Sequence, residues 1–355
     1  MRVLFIDWST GHDSVDQVKK GLTGGRVTWL RELPDALWKF GIECAVWTDA
    51  EESGVSRAGV PWIKKEDHEQ ALRVAWDALV LLRGAHNGWP EVMARHRVLV
   101  VRDLPHWGFI REPKLMRGFS AVVAGSRYAA NLWKCYCKEI GRVEIIPNGV
   151  DKSLFYPREK DRNYLIFASA PNRGLMRLPL QFDALRNHTG LPLKLKAFSK
   201  LGKLHPGETK RDVYVDGYSI DYAVVNDSPI EWLDPIPQAE LAEEIGRAGL
   251  MLLPTAFPEI CSNSVLQALA SGTPIITTGN LGATPEWVKH RWNGMLTRYN
   301  PQDYAVWDIE MVRNASEVLT NERLHRKLIK NAANTKNVLT WQEVGKKWLK
   351  LLKKL

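Results

Sequence analysis

The stretch FPEICSNSVLQALASGTPIITT, residues 257–278, decides the fold. An apolar run at Leu250–Leu253 precedes it and predicts a buried strand. Glu259 follows that strand in a loop beside Pro258. A helix and a second, β-rich strand at 273–278 then complete the stretch. The order strand, loop, helix, strand builds parallel sheets, which bind ligands where the carboxyl ends of strands meet helix N-termini.

Local signals define the ends of the predicted helix. It runs through Val265 and Leu269 to Ala270, and Gly272 is the predicted C-cap. Three consecutive residues are good N-caps, namely Ser262, Asn263 and Ser264. Because a helix N-terminus carries about half a positive charge, this helix start suits a phosphate group.

Length and composition indicate two globular domains. A chain of 355 residues is too long for one ordinary core. Apolar residues make up 45% and charged residues 25%, which is typical of soluble proteins. No apolar run approaches the roughly 20 residues of a membrane span. We therefore expect a cytoplasmic location.

The N-terminal half begins as a Rossmann-like unit. Val3–Ile6 predicts a strand, residues 27–40 have helical apolar spacing, and Glu43–Thr48 predicts the next strand. Gly24 and Gly25 precede the helix and let the backbone approach a ligand closely. Their spacing is not that of a dinucleotide-binding fingerprint.

A later strand of this half ends in polar and aromatic residues. Val98–Val101 is followed by RDLPHW, residues 102–107. Asp103 and His106 therefore fall at the edge where parallel sheets bind ligands.

A turn-rich linker separates the two halves. The segment IPNGVDKSLFYP, residues 146–157, contains two prolines and Asn-Gly, which mark turns. We expect domains at 1–157 and 158–335, followed by a C-terminal helix in 336–355.

The second half restarts with a strand at Tyr164–Ala168 and the loop SAPNRGL, residues 169–175. Arg173 in this loop can give two charge-assisted hydrogen bonds to phosphate oxygens.

Two stretches carry a resemblance to a known family. Glu259, the run from Ala270 to Pro274 and the linker 146–157 resemble the patterns of retaining GT-B glycosyltransferases of family 4, the group 1 type. The family has a second Glu where this chain has Gln267. The resemblance covers nearly the whole chain. It implies an α/β protein with two Rossmann-like domains facing across a donor-binding cleft.

The resemblance implies a reaction and its reacting groups. A hexosyl or pentosyl group would pass, with retention of configuration, from a UDP- or GDP-linked sugar to an acceptor hydroxyl. No Asp-x-Asp motif occurs in the chain, so neither a metal nor a further cofactor is expected. Glu259 would orient the donor sugar, and His106 and Asp103 are the other candidate catalytic residues.

The resemblance also implies which residues bind the donor. Gln267 would contact the ribose, since an amide both donates and accepts hydrogen bonds. The diphosphate would be bound by Arg173, with Arg177 or Lys200 as a second cation. Other candidate donor-binding residues are Gly24, Gly25, Ser262, Asn263 and Ser264.

Three functional hypotheses remain open. The first is transfer to a saccharide or glycolipid. The second is transfer to hydroxymethylated bases in DNA, motivated by a net charge of +9, by 15 tryptophans and by 18 basic against 8 acidic residues in 101–200. The third is a GT-B binding protein without transferase activity, motivated by Gln267. The sequence does not define the oligomeric state.

The C-terminal helix has an apolar face and a basic face. Trp341, Val344, Trp348 and Leu351 share one side, and lysines lie mainly elsewhere. The family favours packing of this helix on the N-terminal domain. The alternative is peripheral contact with an anionic membrane at its cytoplasmic face.

Overall fold

The computed structural model describes residues 1–7, 25–50, 52–82, 92–105, 113–200, 212–215, 218–221, 225 and 227–355. The chain divides into two compact units. The first unit is Met1–Gly149 with Leu339–Leu355, and the second unit is Val150–Val338. The division therefore comes earlier than the predicted boundary at 157, and the returning segment begins later than 336. The chain leaves the first unit at Gly149 and re-enters it at Leu339, where two short strands pair.

The first unit contains an eight-stranded sheet in the order β3-β4-β2-β1-β5-β6-β7-β8. Its strands are β1 (Arg2–Asp7), β2 (Glu43–Thr48), β3 (Gly54–Val55), β4 (Pro61–Lys64), β5 (Trp76–Leu82), β6 (Ala94–Val101), β7 (Ala121–Ala124) and β8 (Val143–Ile145). Neighbouring strands are parallel except for the β3–β4 pair. Helices follow as α1 (Gly25–Trp38), α2 (His68–Leu72) and α3 (Arg127–Tyr136).

The second unit is built on a six-stranded parallel sheet in the order β14-β11-β10-β15-β16-β17. Its strands are β10 (Asp161–Ala168), β11 (Lys194–Phe198), β14 (Glu231–Leu233), β15 (Ala248–Leu253), β16 (Ile275–Thr278) and β17 (Gly294–Thr297). Its helices are α4 (Leu178–Thr189), α5 (Gln238–Arg247), α6 (Asn263–Ala270), α7 (Tyr304–Thr320) and α8 (Glu322–Ala333). Fully buried apolar residues dominate β10 and β15, as expected for a parallel sheet covered on both faces.

The strand order of the second unit reverses between β10 and β15. From β10 the chain builds outward through β11 to β14, and it then returns to β15 and builds the other way through β16 to β17. In open parallel sheets the loops that follow the two strands at such a reversal form the ligand-binding crevice. The loops after β10 and β15 are therefore the expected site.

The structure confirms the predicted strand, helix and strand around 257–278. Helix α6 begins directly after Ser262, which has extended backbone geometry as an N-cap should. Gly272 follows the helix with a φ of 68°, the left-handed conformation that favours glycine. The last strand begins at Ile275, two residues later than predicted, because Thr273 and Pro274 complete the turn.

One segment predicted as a loop contains strands. Residues 199–228 are polar, with Gly, His and Asp scattered through them, which predicts a loop. In the structure, β12 (Asp212–Val215) and β13 (Tyr218–Asp221) pair antiparallel. The alternating Val-Tyr-Val of the first strand and the intervening Asp-Gly in the sequence are typical hairpin signals, which explains the difference.

A buried histidine ties α8 to the start of β15. The Nε2 group of His325 donates to the Gly249 carbonyl oxygen at 2.7 Å, and the residue is 4% exposed. Burial lowers the pKa of His325 below its ordinary value, and the positive charges of Arg162 and Lys160 act in the same direction. The hydrogen bond to Gly249 raises the pKa but does not offset burial, so folding favours the neutral imidazole.

We expect the neutral His325 to make stability pH-dependent. The unfolded chain binds a proton near the ordinary pKa while the folded chain resists it, so stability present above that pKa is lost as the pH falls. A His325→Gln variant keeps an amide donor for Gly249 and removes the titration. We would measure the free energy of unfolding with urea at several values between about pH 7 and pH 5. It should fall by up to about 1.4 kcal/mol more per pH unit in the wild type than in the variant. Parallel curves for the two proteins would contradict this expectation.

The chain ends in helix α9 (Trp341–Leu352), which follows the two-stranded sheet of β9 (Gly149–Val150) and β18 (Leu339–Thr340). Thr340 and Glu343 form a capping box at its start. Its apolar face is buried in the core of the first unit, where Trp348 packs edge-on against Trp29 with ring centroids 5.7 Å apart. The opposite face exposes Lys346, Lys347 and Lys350, and Lys353 and Lys354 are exposed directly after the helix. Within the described residues, no helix has the length and apolar character needed to cross a membrane.

Candidate functional site

Glu259 lies in the loop after β15 and its backbone is held in place. The carbonyl oxygen of Glu259 accepts a hydrogen bond from the Ala283 amide at 2.7 Å. Gly282 has a φ of 73°, and a Cβ atom there would lie 2.5 Å from the Glu259 nitrogen. Only glycine permits this close approach. Glu259 itself is 7% exposed, and its carboxylate lies at the edge of the sheet.

Arg173 reaches Glu259 from the loop after β10. It ends a 3₁₀ turn at Pro171–Arg173, and its Nε donates to Glu259 Oε1 at 2.7 Å. Its guanidinium carbon lies 3.7 Å from the centroid of the Phe257 ring. The two predicted donor-site residues are thus joined directly, at the two strands that flank the reversal of strand order.

The ion pair leaves part of the guanidinium for a ligand. Nε of Arg173 bonds Glu259 and Nη1 bonds the Asn172 side chain. Among the described residues, Nη2 has no hydrogen-bond partner. The stacking ring and the carboxylate hold the planar group in one orientation. A fixed cation with an available N–H₂ group is suited to an oxyanion such as a phosphate.

Gly174 sets the position of the Arg173 loop. It has a φ of 92°, and a Cβ atom there would lie 1.7 Å from the Pro254 carbonyl oxygen. The backbone after β10 therefore touches the backbone after β15, which brings Arg173 within reach of Glu259. Alanine would meet both backbone strain and a collision at this position.

The start of α6 lies at the same edge. Ser264 Oγ donates to the Ala168 carbonyl oxygen at the end of β10. Ser262 caps the helix by its backbone geometry, and its side chain makes no capping hydrogen bond. Ser199 Oγ donates to the Ser169 carbonyl oxygen at 2.8 Å, which ties the end of β11 to the same loop. The predicted residues Ser262, Asn263 and Ser264 thus form a helix start beside the Arg173 loop.

Gln267 is buried in the second turn of α6 and binds another side chain. Its Nε2 donates to Gln238 Oε1 at 2.8 Å. Gln238 is the first residue of α5. The pair is not predictable from the sequence, because 29 residues separate its members.

The candidate second cations differ in their surroundings. Arg177 forms an ion pair with Asp308 of α7 and lies 4.7 Å from the Tyr304 ring centroid. Its charge is thus already compensated by a carboxylate that the sequence does not connect with it. Lys200 is exposed just beyond β11, on the same strand-end edge as Ser199.

Of the residues predicted in the first unit, Asp103 lies just beyond the carboxyl end of β6. Asp103 accepts a hydrogen bond from Trp133 Nε1 through its backbone oxygen at 3.0 Å. Its neighbour Arg102 donates to the buried Asn148 at 2.8 Å. Gly25 is the first residue of α1. Gly24 and His106 lie outside the described residues.

A family model matches the part of the chain that contains α6. Residues 185–313 match the model described as "Glycosyl transferases group 1". The matched segment includes Glu259 and Gln267, and Arg173 precedes it. Among curated proteins, a D-inositol 3-phosphate glycosyltransferase from Nocardioides sp. (strain ATCC BAA-499 / JS614) is 23% identical over 261 residues, 68% of this chain and 55% of that protein. The chain thus spans about half the length of this relative.

Solved structures with glycosyltransferase folds match the chain over its full length. A sucrose-phosphate synthase from Thermosynechococcus elongatus has a TM-score of 0.71 at 14% identity, covering 99% of this chain and 98% of that one. The Anabaena protein HepE, solved in complex with UDP and glucose, has a TM-score of 0.71 at 14% identity and full coverage of both chains. The GT-B fold inferred from the sequence is confirmed, and residues 185–313 are similar to the glycosyl transferases of group 1.

Proposed function

We infer that this protein transfers a sugar from a nucleotide-diphosphate sugar to an acceptor hydroxyl. The observation that carries the proposal is the 2.7 Å bond between Arg173 and Glu259 at the reversal of strand order. A cation for a diphosphate and a carboxylate for sugar hydroxyls are thereby adjacent, as a nucleotide sugar requires. Membership of the group 1 domain supports the same function.

In the proposed reaction one bond breaks and one forms at the anomeric carbon. The bond to the diphosphate oxygen breaks, and the acceptor oxygen bonds to the same face of the sugar, which retains the configuration. The acceptor proton passes to an oxygen of the departing diphosphate, so the products are the glycoside and a nucleoside diphosphate. The step needs stabilisation of the negative charge that develops on the leaving group.

The residues of the second unit have separate roles in this proposal. Arg173 binds the diphosphate through its N–H groups, together with the backbone N–H groups that start α6. Glu259 accepts hydrogen bonds from the hydroxyls of the donor sugar and keeps Arg173 oriented. Arg177, which is paired with Asp308, or Lys200 is the proposed second cation. This set of groups neutralises the leaving diphosphate without a metal ion.

We favour UDP as the donor nucleotide and a saccharide or glycolipid as the acceptor. HepE was solved with UDP and with UDP-glucose, and the curated relative is named for a sugar-alcohol phosphate acceptor. The alternatives to be tested are a GDP-linked donor in place of a UDP-linked one and DNA in place of a saccharide or glycolipid acceptor. His106 and Asp103 remain candidate residues of the acceptor side.

The test combines a donor screen with turnover. Ligand-induced thermal shift against a panel of UDP- and GDP-sugars identifies the donor, since a ligand that binds the folded state raises the melting temperature. Release of nucleoside diphosphate is then followed with saccharide and glycolipid acceptors, with and without EDTA. We expect steady release that EDTA does not reduce and that Glu259→Ala lowers by about 100-fold.

The same experiment separates the competing functions. Donor binding without any release by the wild type would favour a binding protein, and release unaffected by Glu259→Ala would contradict the proposed site. The anomeric configuration of the product, read by NMR, tests retention directly. Inversion would overturn that part of the mechanism.

The lysine face of α9 favours contact with an anionic lipid surface. Three lysines lie on its exposed side and two follow the helix directly, and the apolar side is occupied by the core of the first unit. Such contact would be mainly electrostatic, since the apolar face of this helix is buried in the core of the first unit. Each lysine near an anionic bilayer contributes about 1 kcal/mol at physiological ionic strength.

We expect binding to vesicles of phosphatidylglycerol and phosphatidylcholine that weakens steeply with salt. The Lys346→Glu/Lys350→Glu variant should abolish it. The matched control, Lys327→Glu/Lys330→Glu, makes the same charge change on the exposed face of α8 and should bind like the wild type. Binding that survives the first variant contradicts the lysine-face contact. Tighter, salt-dependent binding to duplex DNA than to vesicles would favour the DNA acceptor instead.

A further inference from the structure

One loop of the second unit presents a tryptophan to solvent. Trp292 lies in the segment 289–293, between the 3₁₀ turn at Thr284–Glu286 and β17. It is 39% exposed, so roughly 100 Å² of this residue meets solvent. All other tryptophans that the structure describes are buried or half-buried. Within the described part of the chain, the indole Nε1–H of Trp292 has no hydrogen-bond partner, so it is available to a ligand.

Hydrogen bonds hold this loop in one conformation. The side chain of Asn293 is fully buried; it accepts from the Lys289 amide at 2.6 Å and donates to the Trp287 carbonyl oxygen at 2.9 Å. The carbonyl oxygen of Trp292 accepts from Asn331 Nδ2 of α8 at 2.8 Å. A loop that is already ordered loses little conformational entropy when a ligand binds to it.

The backbone at the tip of the loop is strained. Arg291 has a φ of 60°, and among the described residues it is the only non-glycine in the left-handed conformation. Its amide donates to the Gly294 carbonyl oxygen at 2.9 Å, and its Nη1 bonds Glu317 of α7 at 2.6 Å. Side chains other than glycine keep such a conformation where surrounding contacts impose it, and these positions concentrate at ligand-binding sites.

The polar groups beside the indole are suited to hydroxyl groups. His290 is exposed, and its Nδ1 accepts from the Leu296 amide at 3.1 Å, so the proton of the neutral ring lies on Nε2. The side chains of Arg291 and Glu317 stay partly exposed and offer planar donors and acceptors. An indole face attracts the C–H groups of a sugar ring, and flanking donors and acceptors can bind its hydroxyls.

The cations of the loop are already engaged, which argues against a polyanion as the ligand. Arg291 is paired with Glu317, and Lys289 Nζ donates to the Pro285 carbonyl oxygen at 2.6 Å. Nucleic acids and anionic membranes present rows of phosphates, which need cations without a carboxylate partner. A neutral ligand rich in hydroxyl groups has no such requirement.

The loop lies at the opposite edge of the sheet from the donor site. It precedes β17, whereas Arg173 and Glu259 follow β10 and β15, and the strands of this sheet are parallel. The four residues of β17 span about 13 Å, so a single sugar residue cannot reach both edges. We propose that the Trp292 loop, residues 289–293, is a second site, which binds a neutral oligosaccharide or polysaccharide chain. This site is separate from the donor site and does not depend on the transferase reaction.

The test begins with an array of neutral oligosaccharides of glucose, galactose, mannose and N-acetylglucosamine, and calorimetry then measures the affinity for the chains that bind. We expect the wild type to bind a chain of several sugars more tightly than the monosaccharide, with little effect of salt. Trp292→Ala should lower the affinity by about tenfold or more. Trp292→Phe keeps an aromatic face without the N–H group and should lower it by about threefold.

Two variants serve as controls. Tyr299→Ala removes another exposed aromatic side chain, which follows β17 at the other edge of the sheet. Arg173→Ala disables the proposed donor site. Both should bind the oligosaccharide like the wild type. Melting temperatures of all variants are compared so that unfolding is not read as lost binding.

The outcomes separate a saccharide from the other partners. Failure of the wild type to bind any neutral oligosaccharide, or equal affinities of the wild type and Trp292→Ala, would overturn the proposed site. Salt-sensitive binding of single-stranded DNA or of phosphatidylglycerol vesicles that Trp292→Ala abolishes would also overturn it, in favour of an anionic partner. The proposed function is tested separately, because Trp292→Ala should release nucleoside diphosphate at the wild-type rate with a monosaccharide acceptor.

Discussion

Replacing Arg173 with alanine is expected to weaken binding of a nucleoside diphosphate by about 100-fold and binding of the nucleoside by less than about twofold. The reason is that Arg173 would contribute two charge-assisted hydrogen bonds to phosphate and none to the base or ribose. Calorimetric titration of UDP and uridine into the wild type and the variant measures both effects. Equal losses for the two ligands would show that Arg173 does not touch phosphate.

The chain supplies a matched control for this prediction. Arg186 is exposed on α4 of the same unit and also stacks on a phenylalanine, with its guanidinium carbon 5.9 Å from the Phe182 ring centroid. Unlike Arg173, it has no carboxylate partner among the described residues. Arg186→Ala should leave the affinity for UDP unchanged. A comparable loss in this variant would indicate a general effect of positive charge rather than a site at Arg173.

Replacing Gly174 with alanine is expected to destabilise the protein by about 3 kcal/mol or more. The residue has a φ of 92°, and a Cβ atom would lie 1.7 Å from the Pro254 carbonyl oxygen. Backbone atoms cannot move aside as a flexible side chain can, so either the loop after β10 or the end of β15 must shift. Urea unfolding measures the loss, and UDP affinity should fall with it because Arg173 follows the loop.

Gly190 separates the two contributions to this effect. It also has a positive φ, of 64°, at the end of α4, but a Cβ atom there would meet nothing within 4 Å. Gly190→Ala therefore tests the backbone strain alone and should cost about 1 kcal/mol. If Gly174→Ala were as mild as Gly190→Ala, the contact between the two strand-end loops would not be tight.

Local sequence patterns predict most of the second unit well. The helix after Ser262 and its end at Gly272 depend on caps and apolar spacing within a few residues, and both are confirmed. Short strands with little hydrophobic pattern of their own are harder to predict from the sequence. Gly54–Val55 and the pair within 212–221 depend on neighbouring strands for their hydrogen bonds, and they were not predicted.

The division into two units also depends on non-local contacts. The turn residues of 146–157 identify this segment as a linker. They do not reveal at which of its residues the core of the first unit ends. Gly149 packs against Trp341, where a Cβ atom would lie 2.7 Å from the backbone nitrogen, so the first unit ends there. That contact joins residues that are far apart in the sequence.

Side-chain contacts in the candidate site are likewise not predictable from local sequence patterns. The position of Arg173 and Glu259 after two strands is readable from the sequence, but their direct bond spans 86 residues. The ion pair of Arg177 with Asp308 spans 131 residues. Phe257 lies within the stretch that decides the fold, yet its stacking under Arg173 became evident only from the structure.

The most direct test of the donor site is hydrogen–deuterium exchange with and without saturating UDP or GDP. Bound nucleotide should slow exchange in peptides covering 169–177 and 254–267, because these segments contain Arg173, Glu259 and the start of α6. Peptides from α7 and α8 should exchange at the same rate in both states. Unchanged exchange in the first two segments, or protection confined to other parts of the chain, would contradict the location of the site.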